Sequence, residues 1–325
     1  MIRFGFILLA LSSSLTAQDS ILLVLQKGAS SLAFYKPNGE LQATVPVGRH
    51  PHEIVVSRDH RYAYTSDNGT MRIEQPGTGG NTVSIIDLKA RKKIGEIDLG
   101  NYRRPHGLAL DSEKGILAIT TELPDQLLLA DVNKRAVIKT FDTKGKTSHM
   151  VALQPGGRTA YVSNSSSGNI AAIDLTNGSV KLIPTGQRPE GSVVSPDGKF
   201  LYVANRESHT VSIIDTAKNE VTGTIRTSKG PVRIALTPGG KLVYAAMHDK
   251  RVEMADPVTR RVLGHAQLDG PPVSLNLSPD GKLAYASVEE MDIVYAVSLP
   301  DMTIVRKFQT EKGAGPDPVI SIPAN

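Results

Sequence analysis

Residues 189–205 read PEGSVVSPDGKFLYVAN, and this stretch decides the fold. A short apolar run, Pro189–Val194, leads into the turn Ser195-Pro196-Asp197-Gly198, where proline fixes φ and glycine is free to adopt a positive φ. The next run, from Lys199 to Asn205, has the β-branched and aromatic composition of a strand. Two further strand-like runs follow, Val211–Asp215 and Glu220–Arg226, so the unit predicts a four-stranded antiparallel sheet.

This unit recurs along the chain. Glycines near the start of successive units lie 52, 45, 41, 44, 40 and 43 residues apart, at Gly48, Gly100, Gly145, Gly186, Gly230, Gly270 and Gly313. Four strands in about 40–45 residues are typical of a propeller blade and not of a helical solenoid. No sustained helical periodicity competes with this interpretation outside the first residues.

The pieces outside the six full units complete a seventh. Residues 21–26, 31–35 and 40–47 read as its second, third and fourth strands, and residues 317–322 read as its first. The sequence therefore predicts an all-β, seven-bladed β-propeller with four-stranded antiparallel blades. N- and C-terminal strands would share one blade and so close the ring, which removes exposed sheet edges. We expect residues 18–325 to form this one domain.

Several tetrapeptides resemble the YVTN-type β-propeller repeat family. Tyr161-Val162-Ser163-Asn164 and Tyr202-Val203-Ala204-Asn205 are close to its namesake, and Val83–Asp87 fits its third strand. The resemblance covers residues 21 to 325 and implies the fold. It leaves function open, because relatives of this architecture include lactonases, lyases, redox-enzyme subunits and non-catalytic surface proteins.

One position near the start of four consecutive blades carries a potential metal ligand. It holds His52, His106, His149 and Glu190. In a propeller this position lies at the upper mouth of the central channel, so the four side chains should converge there. Three imidazoles and a carboxylate are a ligand set for a catalytic divalent metal, with zinc, iron, manganese and nickel as the choices. The alternative is a hydrogen-bonded polar funnel that binds no metal.

The other blades break this pattern, which favours a site on one side of the channel. We assign Val232, Val273 and Val319 to the same position, as an apolar wall. Blade one also has a glycine-rich insertion within residues 68–81, which we interpret as a lid. Substrate contacts are expected from polar residues of the same face, namely Arg49, Arg104, Arg188, Asn164, Asn205, Arg206 and His248. Asp67 and Glu122 are candidate catalytic bases.

Three function classes remain open at this stage. A metal could act as a Lewis acid, for a lyase, a lactonase or other hydrolase, or an isomerase working on a small oxygen-rich or anionic substrate. It could instead bind oxygen as non-haem iron, although known propeller oxygenases with four histidines differ from this chain at Glu190. The third class is a non-catalytic binding module, with a protein partner on the top face in place of a small-molecule ligand at the channel mouth.

Composition and the first residues predict the compartment. Residues 1–17 have the basic start, short apolar run and small-residue end of a signal peptide, so we expect a periplasmic or secreted protein. No apolar run is long enough to span a membrane, and there is no cysteine. The net charge of +5 is scattered and tryptophan is absent, which argues against nucleic-acid binding. We expect a monomer.

Overall fold

In the computed structural model, which describes residues 20–324, the Ser195–Gly198 turn forms as the sequence predicts. The Ser195 hydroxyl donates to the Asp197 carboxylate (2.6 Å) and accepts from the Phe200 amide (3.0 Å). Gly198 adopts a φ of +71° and donates its amide to the Ser195 carbonyl (2.8 Å). Ser278 and Asp280 repeat these bonds two blades further on. The turn thus fixes the hairpin between the first and second strands.

The described residues contain twenty-eight strands. The N-terminal three are β1 (Ser20–Gln26), β2 (Ser31–Tyr35) and β3 (Leu41–Pro46). The first blade contains β4 (Pro51–Val56), β5 (Tyr62–Asp67), β6 (Thr82–Asp87) and β7 (Lys92–Asp98). The second contains β8 (Arg103–Asp111), β9 (Ile116–Leu123), β10 (Asp125–Asp131) and β11 (Ala136–Asp142). The third contains β12 (Ser148–Leu153), β13 (Thr159–Asn164), β14 (Asn169–Asp174) and β15 (Val180–Pro184).

The remaining blades have the same four-stranded arrangement. The fourth contains β16 (Pro189–Val194), β17 (Phe200–Asn205), β18 (Thr210–Asp215) and β19 (Glu220–Arg226). The fifth contains β20 (Pro231–Leu236), β21 (Leu242–Ala246), β22 (Arg251–Asp256) and β23 (Arg261–Gln267). The sixth contains β24 (Ser274–Leu277), β25 (Leu283–Val288), β26 (Ile293–Ser298) and β27 (Thr303–Gln309), and β28 (Pro316–Pro323) ends the described chain. Two short 3-10 helices lie at Ser165–Ser167 and Glu289–Met291.

The predicted ring closure is confirmed. The seventh blade has the strand order β28-β1-β2-β3, so its innermost strand comes from the C-terminal residues. β28 pairs antiparallel with β1, with Ile322 opposite Ile21 and Ser321 opposite Leu22. Each of the other six sheets pairs four consecutive strands of the chain. The fold is therefore a seven-bladed β-propeller of four-stranded antiparallel blades.

The hydrophobic core lies between neighbouring blades. The second and third strands are almost wholly buried, whereas the outermost strands alternate between exposed and partly buried residues. One such layer packs Leu23 and Phe34 of the seventh blade against Ile54 and Ile86 of the first. Sheets stacked face to face in this way leave the innermost strands free to line a central channel.

No helix of residues 20–324 is long and apolar enough to cross a membrane. The signal peptide predicted for residues 1–17 lies outside the described residues and stays a prediction.

Candidate functional site

One position near the start of each innermost strand faces the upper mouth of the channel. Strand pairing sets its register, because the residue before it lies opposite the end of the second strand, as Pro51 does with Asp67 and Pro189 with Asn205. We call this position the mouth position. Around the ring it holds His52, His106, His149, Glu190, Val232, Val273 and Asp317.

The seventh mouth residue is Asp317, and the assignment of Val319 was wrong. Pro316 lies opposite Gln26, so the next residue, Asp317, is the equivalent of His52. Val319 lies two residues further along the strand and is fully buried in the packing between blades. The polar run around the mouth therefore has five members on consecutive blades, since the seventh blade adjoins the first.

Irregular backbone aims these side chains at the channel. The strand register shifts at the mouth position in six blades, and such bulges redirect a side chain. Two residues earlier the chain takes a positive φ, at His50, Arg104, Thr147, Arg188, Gly230 and Gly315. Four of these are not glycine and accept backbone strain at that point. Of these four, Arg104 contacts the insertion and Arg188 contacts Glu190.

The first two histidines form a hydrogen-bonded chain. His52 Nε2 lies 2.6 Å from the Thr70 carbonyl oxygen, and His52 Nδ1 lies 3.0 Å from His106 Nε2. A carbonyl only accepts, so in neutral His52 the proton is on Nε2, and Nδ1 accepts from His106 Nε2–H. His106 Nδ1 is then unprotonated. It is buried and has no hydrogen-bond partner within residues 20–324, so its lone pair is free.

His149 links this chain to Glu190. Its ring packs on that of His106, with ring centroids 3.8 Å apart, and its Nδ1 lies 3.2 Å from Glu190 Oε2. That contact lacks hydrogen-bond geometry, because Nδ1 remains without a partner. Arg188 Nε donates to Glu190 Oε1 at 3.3 Å, and Arg206 Nη1 lies 3.7 Å from the same oxygen. A carboxylate between two guanidiniums thus borders the imidazoles.

Burial keeps the three imidazoles neutral. Loss of hydration holds the pKa of His52 and His106 well below its usual range, and nearby positive charge lowers it further. Burial also lowers the pKa of His149, to about 4, although the Glu190 carboxylate opposes the shift. Neutral imidazoles with free lone pairs can act as proton acceptors or as metal ligands.

The cluster fits a metal in its donor types and not in its present arrangement. No group of three or more His, Cys, Asp or Glu in residues 20–324 is placed to hold a metal ion. His52 and His106 point nitrogens at each other 3.0 Å apart, whereas ligands of one metal direct their lone pairs at a shared point. Binding would therefore have to open this hydrogen bond.

The sixth and seventh blades give the cavity a second ionic cluster. Lys27 Nζ lies 2.7 Å from Asp317 Oδ2 and 3.0 Å from Glu289 Oε2. Lys27 and Asp317 are buried, and Glu289 is nearly so. We call these three residues the acidic triad, because two carboxylates surround one ammonium.

A buried ion pair forms the floor below both clusters. Arg233 of the fifth blade reaches across the channel to Glu53 of the first, at 2.5 Å, and also contacts Met150 Sδ at 3.1 Å. Each of these residues follows a mouth residue directly. A smaller cavity of about 130 Å³ lies beyond, lined in part by the same three residues. The pair therefore separates the upper cavity from the rest of the channel.

The predicted lid covers the mouth. Met71, Arg72, Ile73 and Glu74 of the insertion line the upper cavity. At its neck, the Gly80 amide donates to the Asn68 carbonyl (2.6 Å), and a Cβ on Gly80 would collide with the backbone of Asp67.

Arg104 holds this segment in place. Its guanidinium donates to the carbonyls of Arg72, Ile73 and Gln75 at 2.5–3.3 Å, and its Nε lies 2.9 Å from Glu122 Oε2. Glu74 adds an ion pair with Arg188, at 2.6 Å. Arg104 and Glu122 thus support the lid from outside the lining of the upper cavity.

Three other predicted site residues make hydrogen bonds within their own blades and do not line the cavity. Asp67 accepts hydrogen bonds from Thr82, Ser84 and the amide of Gly48, where a side chain in place of glycine would collide with the carboxylate. Burial raises the pKa of Asp67 to about 6. At the same position of the third and fourth blades, Asn164 donates to Asn169 Oδ1 and Asn205 donates to Ser212 Oγ.

Two cationic candidates lie outside the cavity lining. Arg49 and His248 are both exposed, and the His248 ring lies 6.3 Å from that of His209. Of the predicted substrate-binding residues, the structure brings Arg188 and Arg206 to the cavity.

The resulting cavity is small, at about 180 Å³. Its lining residues are Lys27, His52, Met71, Arg72, Ile73, Glu74, His106, His149, Arg188, Glu190, Arg206, Val232, Arg233, Met247, Val273, Glu289 and Asp317. Pockets for drug-sized ligands are usually roughly 300–1,000 Å³. The cavity therefore suits one small ring-sized molecule.

Sequence reasoning missed the acidic triad and the floor. Lys27 and Glu289 each follow the end of a second strand by one residue, and Glu53 and Arg233 each follow a mouth residue. Aligning the residues that directly follow the mouth position and the end of each second strand would have revealed both pairs. What a sequence alignment lacks is the pairing across the channel.

Comparison with known proteins agrees with this architecture. A family model described as Lactonase, 7-bladed beta-propeller matches residues 25–232. No curated protein matches the chain. Hydrazine synthase from Kuenenia stuttgartiensis is similar in structure, with a TM-score of 0.68 and 21% identity over 80% of this chain and 86% of that one. A protein of unknown function from Desulfotomaculum acetoxidans DSM 771 has a TM-score of 0.77 and 12% identity over 94% and 99%. At these identities the two structures show a shared fold alone.

Proposed function

The chain belongs to the family of seven-bladed β-propeller lactonases, and from this premise we propose that it is an exported hydrolase that opens a small lactone at the channel mouth. One observation carries the proposal: His106 presents a free, buried Nδ1 lone pair in a small roofed cavity that also contains Glu190 and two guanidiniums. Export rests on the predicted signal peptide of residues 1–17. The YVTN-type resemblance adds to the fold assignment and stays a prediction.

The chemistry requires a base and a group that stabilises negative charge. A water oxygen attacks the ester carbonyl, the ring C–O bond breaks, and the product is a hydroxy acid. His106 Nδ1 is the proposed proton acceptor for that water, with His52 and the Thr70 carbonyl fixing its tautomer. Arg188 and Arg206 are the proposed donors to the oxyanion and to the new carboxylate. A substrate that is oxygen-rich or anionic would use the same donors.

A divalent metal at His52, His106, His149 and Glu190 is a second proposal for the same cluster. Three neutral imidazoles beside a carboxylate support it, with zinc, iron, manganese or nickel as the choices. Bound there, a metal would polarise the ester carbonyl as a Lewis acid. The proposal requires the His52–His106 hydrogen bond to open, which elemental analysis of the purified protein and metal titration followed by the imidazole NMR signals would detect.

Hydrolysis of a panel of five- and six-membered lactones tests the main proposal. Wild-type protein should release acid, measured at constant pH by base uptake, and His106→Ala should lower kcat/KM by about 100-fold or more. His209→Ala is the matched control, since this histidine lies outside the cavity lining. Equal rates for wild type and His106→Ala, at equal folded fractions, would contradict the proposal.

Metal analysis separates the two versions of the site. If His106 acts without a metal, wild-type protein freed of metal by chelation keeps its hydrolytic rate. If the metal is required, chelation abolishes the rate and one equivalent of a divalent metal restores it. His52→Ala, His106→Ala and His149→Ala should then each lower the metal content.

A further inference from the structure

Within the acidic triad, two carboxylates share one ammonium. Lys27 supplies one positive charge, whereas Glu289 and Asp317 supply two carboxylates, at 3.0 and 2.7 Å from Lys27 Nζ. Arg233, which lies nearby on the floor, is already paired with Glu53. Because one ammonium divides its hydrogen bonds between two carboxylates, the triad has acceptor capacity left for a second donor.

One oxygen of the triad shows where that group would bind. Asp317 is 4% exposed and lines the cavity, and its Oδ1 is buried with no hydrogen-bond partner within residues 20–324. The other oxygen, Oδ2, is taken by Lys27. A buried acceptor left without a donor costs free energy that a ligand donor would recover.

The rest of the cavity determines how a small ligand would lie. Val232 and Val273 form an apolar wall on the fifth and sixth blades, whereas Arg188 and Arg206 lie beside Glu190 on the fourth. A ring bound against the valines with a donor at Asp317 would have its remaining polar atoms free for the imidazoles and guanidiniums. The cavity thus has separate places for a donor group, a ring and an acyl group.

We propose that Asp317, assisted by Glu289, binds an ammonium group of the substrate, which is therefore an amino-substituted lactone. The lactone part rests on the proposed function, whereas ammonium binding depends only on the triad. An ammonium is favoured over a hydroxyl because it makes charge-assisted hydrogen bonds with a carboxylate, which are about twice as strong as neutral ones. Hydrolysis would then yield a hydroxy amino acid whose ammonium remains at Asp317 and whose carboxylate forms near the arginines.

Two ring compounds that cannot be hydrolysed test the ammonium site directly. 3-Aminotetrahydrofuran and tetrahydrofuran-3-ol have the same ring and differ in the donor, so calorimetric or NMR titration at pH 7 compares ammonium with hydroxyl. Wild-type protein should bind the amine at least about tenfold more tightly. Asp317→Asn should abolish this preference. Glu290→Gln, which removes an exposed carboxylate next to Glu289, should keep it.

The outcomes separate this inference from the proposed function. Equal affinity for the two compounds, or an undiminished preference in Asp317→Asn, overturns the ammonium site whether or not the protein hydrolyses lactones. A protein that prefers the amine but hydrolyses no amino-substituted or plain lactone keeps the site and loses the lactonase proposal. Thermal melting checks that Asp317→Asn is folded. Glu289→Gln, expected to weaken the preference, provides the test if it is not.

Discussion

Arg233 and Glu53 form a largely buried ion pair across the central channel, joining the fifth blade to the first. Burial alone would lower the pKa of Arg233, but the Glu53 carboxylate raises it, so the arginine stays charged and depends on this partner. The pair also forms the boundary between the upper cavity and the space below. Its removal should affect the whole ring, because the two blades are not neighbours.

Arg233→Met should lower the free energy of unfolding by about 3–5 kcal/mol, since it leaves the Glu53 carboxylate buried without a partner. Urea denaturation followed by circular dichroism measures this. The double variant Arg233→Met with Glu53→Gln should recover much of the loss. Arg58→Ala, in an exposed pair with Glu113, is the control and should cost at most about 1 kcal/mol. A single variant as stable as wild type would show that the pair is dispensable.

The lid should loosen when Arg104 is replaced by lysine. A single ammonium cannot reproduce the guanidinium's bonds to three carbonyls of residues 72–75. We expect amide hydrogen exchange of residues 70–76 to accelerate by about tenfold or more, with other blades unchanged. Arg103→Lys, at the preceding and less buried residue, is the matched control. Unchanged exchange in Arg104→Lys would mean that the guanidinium does not hold this segment.

Glu122 should make stability depend on pH. Burial raises its pKa from 4.5 to about 7, even though Arg104 opposes the shift. Because the folded pKa is the higher one, this carboxyl group contributes stability that is complete below about pH 4.5 and lost as the pH rises through 7. Relative to wild type, Glu122→Gln should therefore gain about 3 kcal/mol in free energy of unfolding between pH 4.5 and 8.

Urea denaturation of both proteins at several pH values between 4.5 and 8 measures that difference. Glu207→Gln, at a more exposed carboxylate of the top face, should leave the pH profile of wild type unchanged. If the Glu122→Gln profile runs parallel to that of wild type, then Glu122 titrates alike in the folded and unfolded chain.

Truncation before Pro316 should strongly destabilise the fold. It removes the innermost strand of the seventh blade and exposes the edge of β1, which is otherwise paired from Ser20 to Gln26. We expect the melting temperature to fall by at least about 10 °C, given the loss of a whole buried strand. Truncation after Pro323 keeps every pair of β28 and serves as the control. Similar melting of the two truncated proteins would contradict the role of β28 in closing the ring.

The fold was predictable because its signals are local and repeated. The Ser195–Gly198 turn determines its own hydrogen bonds, and the same pattern recurs at Ser278–Gly281. Once one unit is recognised as a blade, the strands left over at both ends of the chain can only form a shared seventh blade. The register of the last strand was harder, because Pro316 and Pro318 offer the same anchor and only pairing with Gln26 decides between them.

The site was predictable only in part. The blade repeat brings His52, His106, His149 and Glu190 together, since equivalent positions on adjacent blades face one channel. The sequence could not predict that Arg104 supports the lid. Its partners are backbone carbonyls of the insertion, and the insertion does not follow the blade repeat. Asp67 was predicted as a site residue because its position recurs in the blade repeat. Its carboxylate instead accepts hydrogen bonds within its own blade.

The shared seventh blade also sets the order in which the protein can mature. Ser20 pairs with Pro323, a contact between opposite ends of the described chain, and contacts of such long sequence separation form slowly. The Lys27–Asp317 ion pair spans the same closure. During synthesis, the six other blades can therefore fold while the cavity still lacks Asp317. The cavity is therefore complete only when the last strand docks, so closure of the ring and completion of the proposed site are one event.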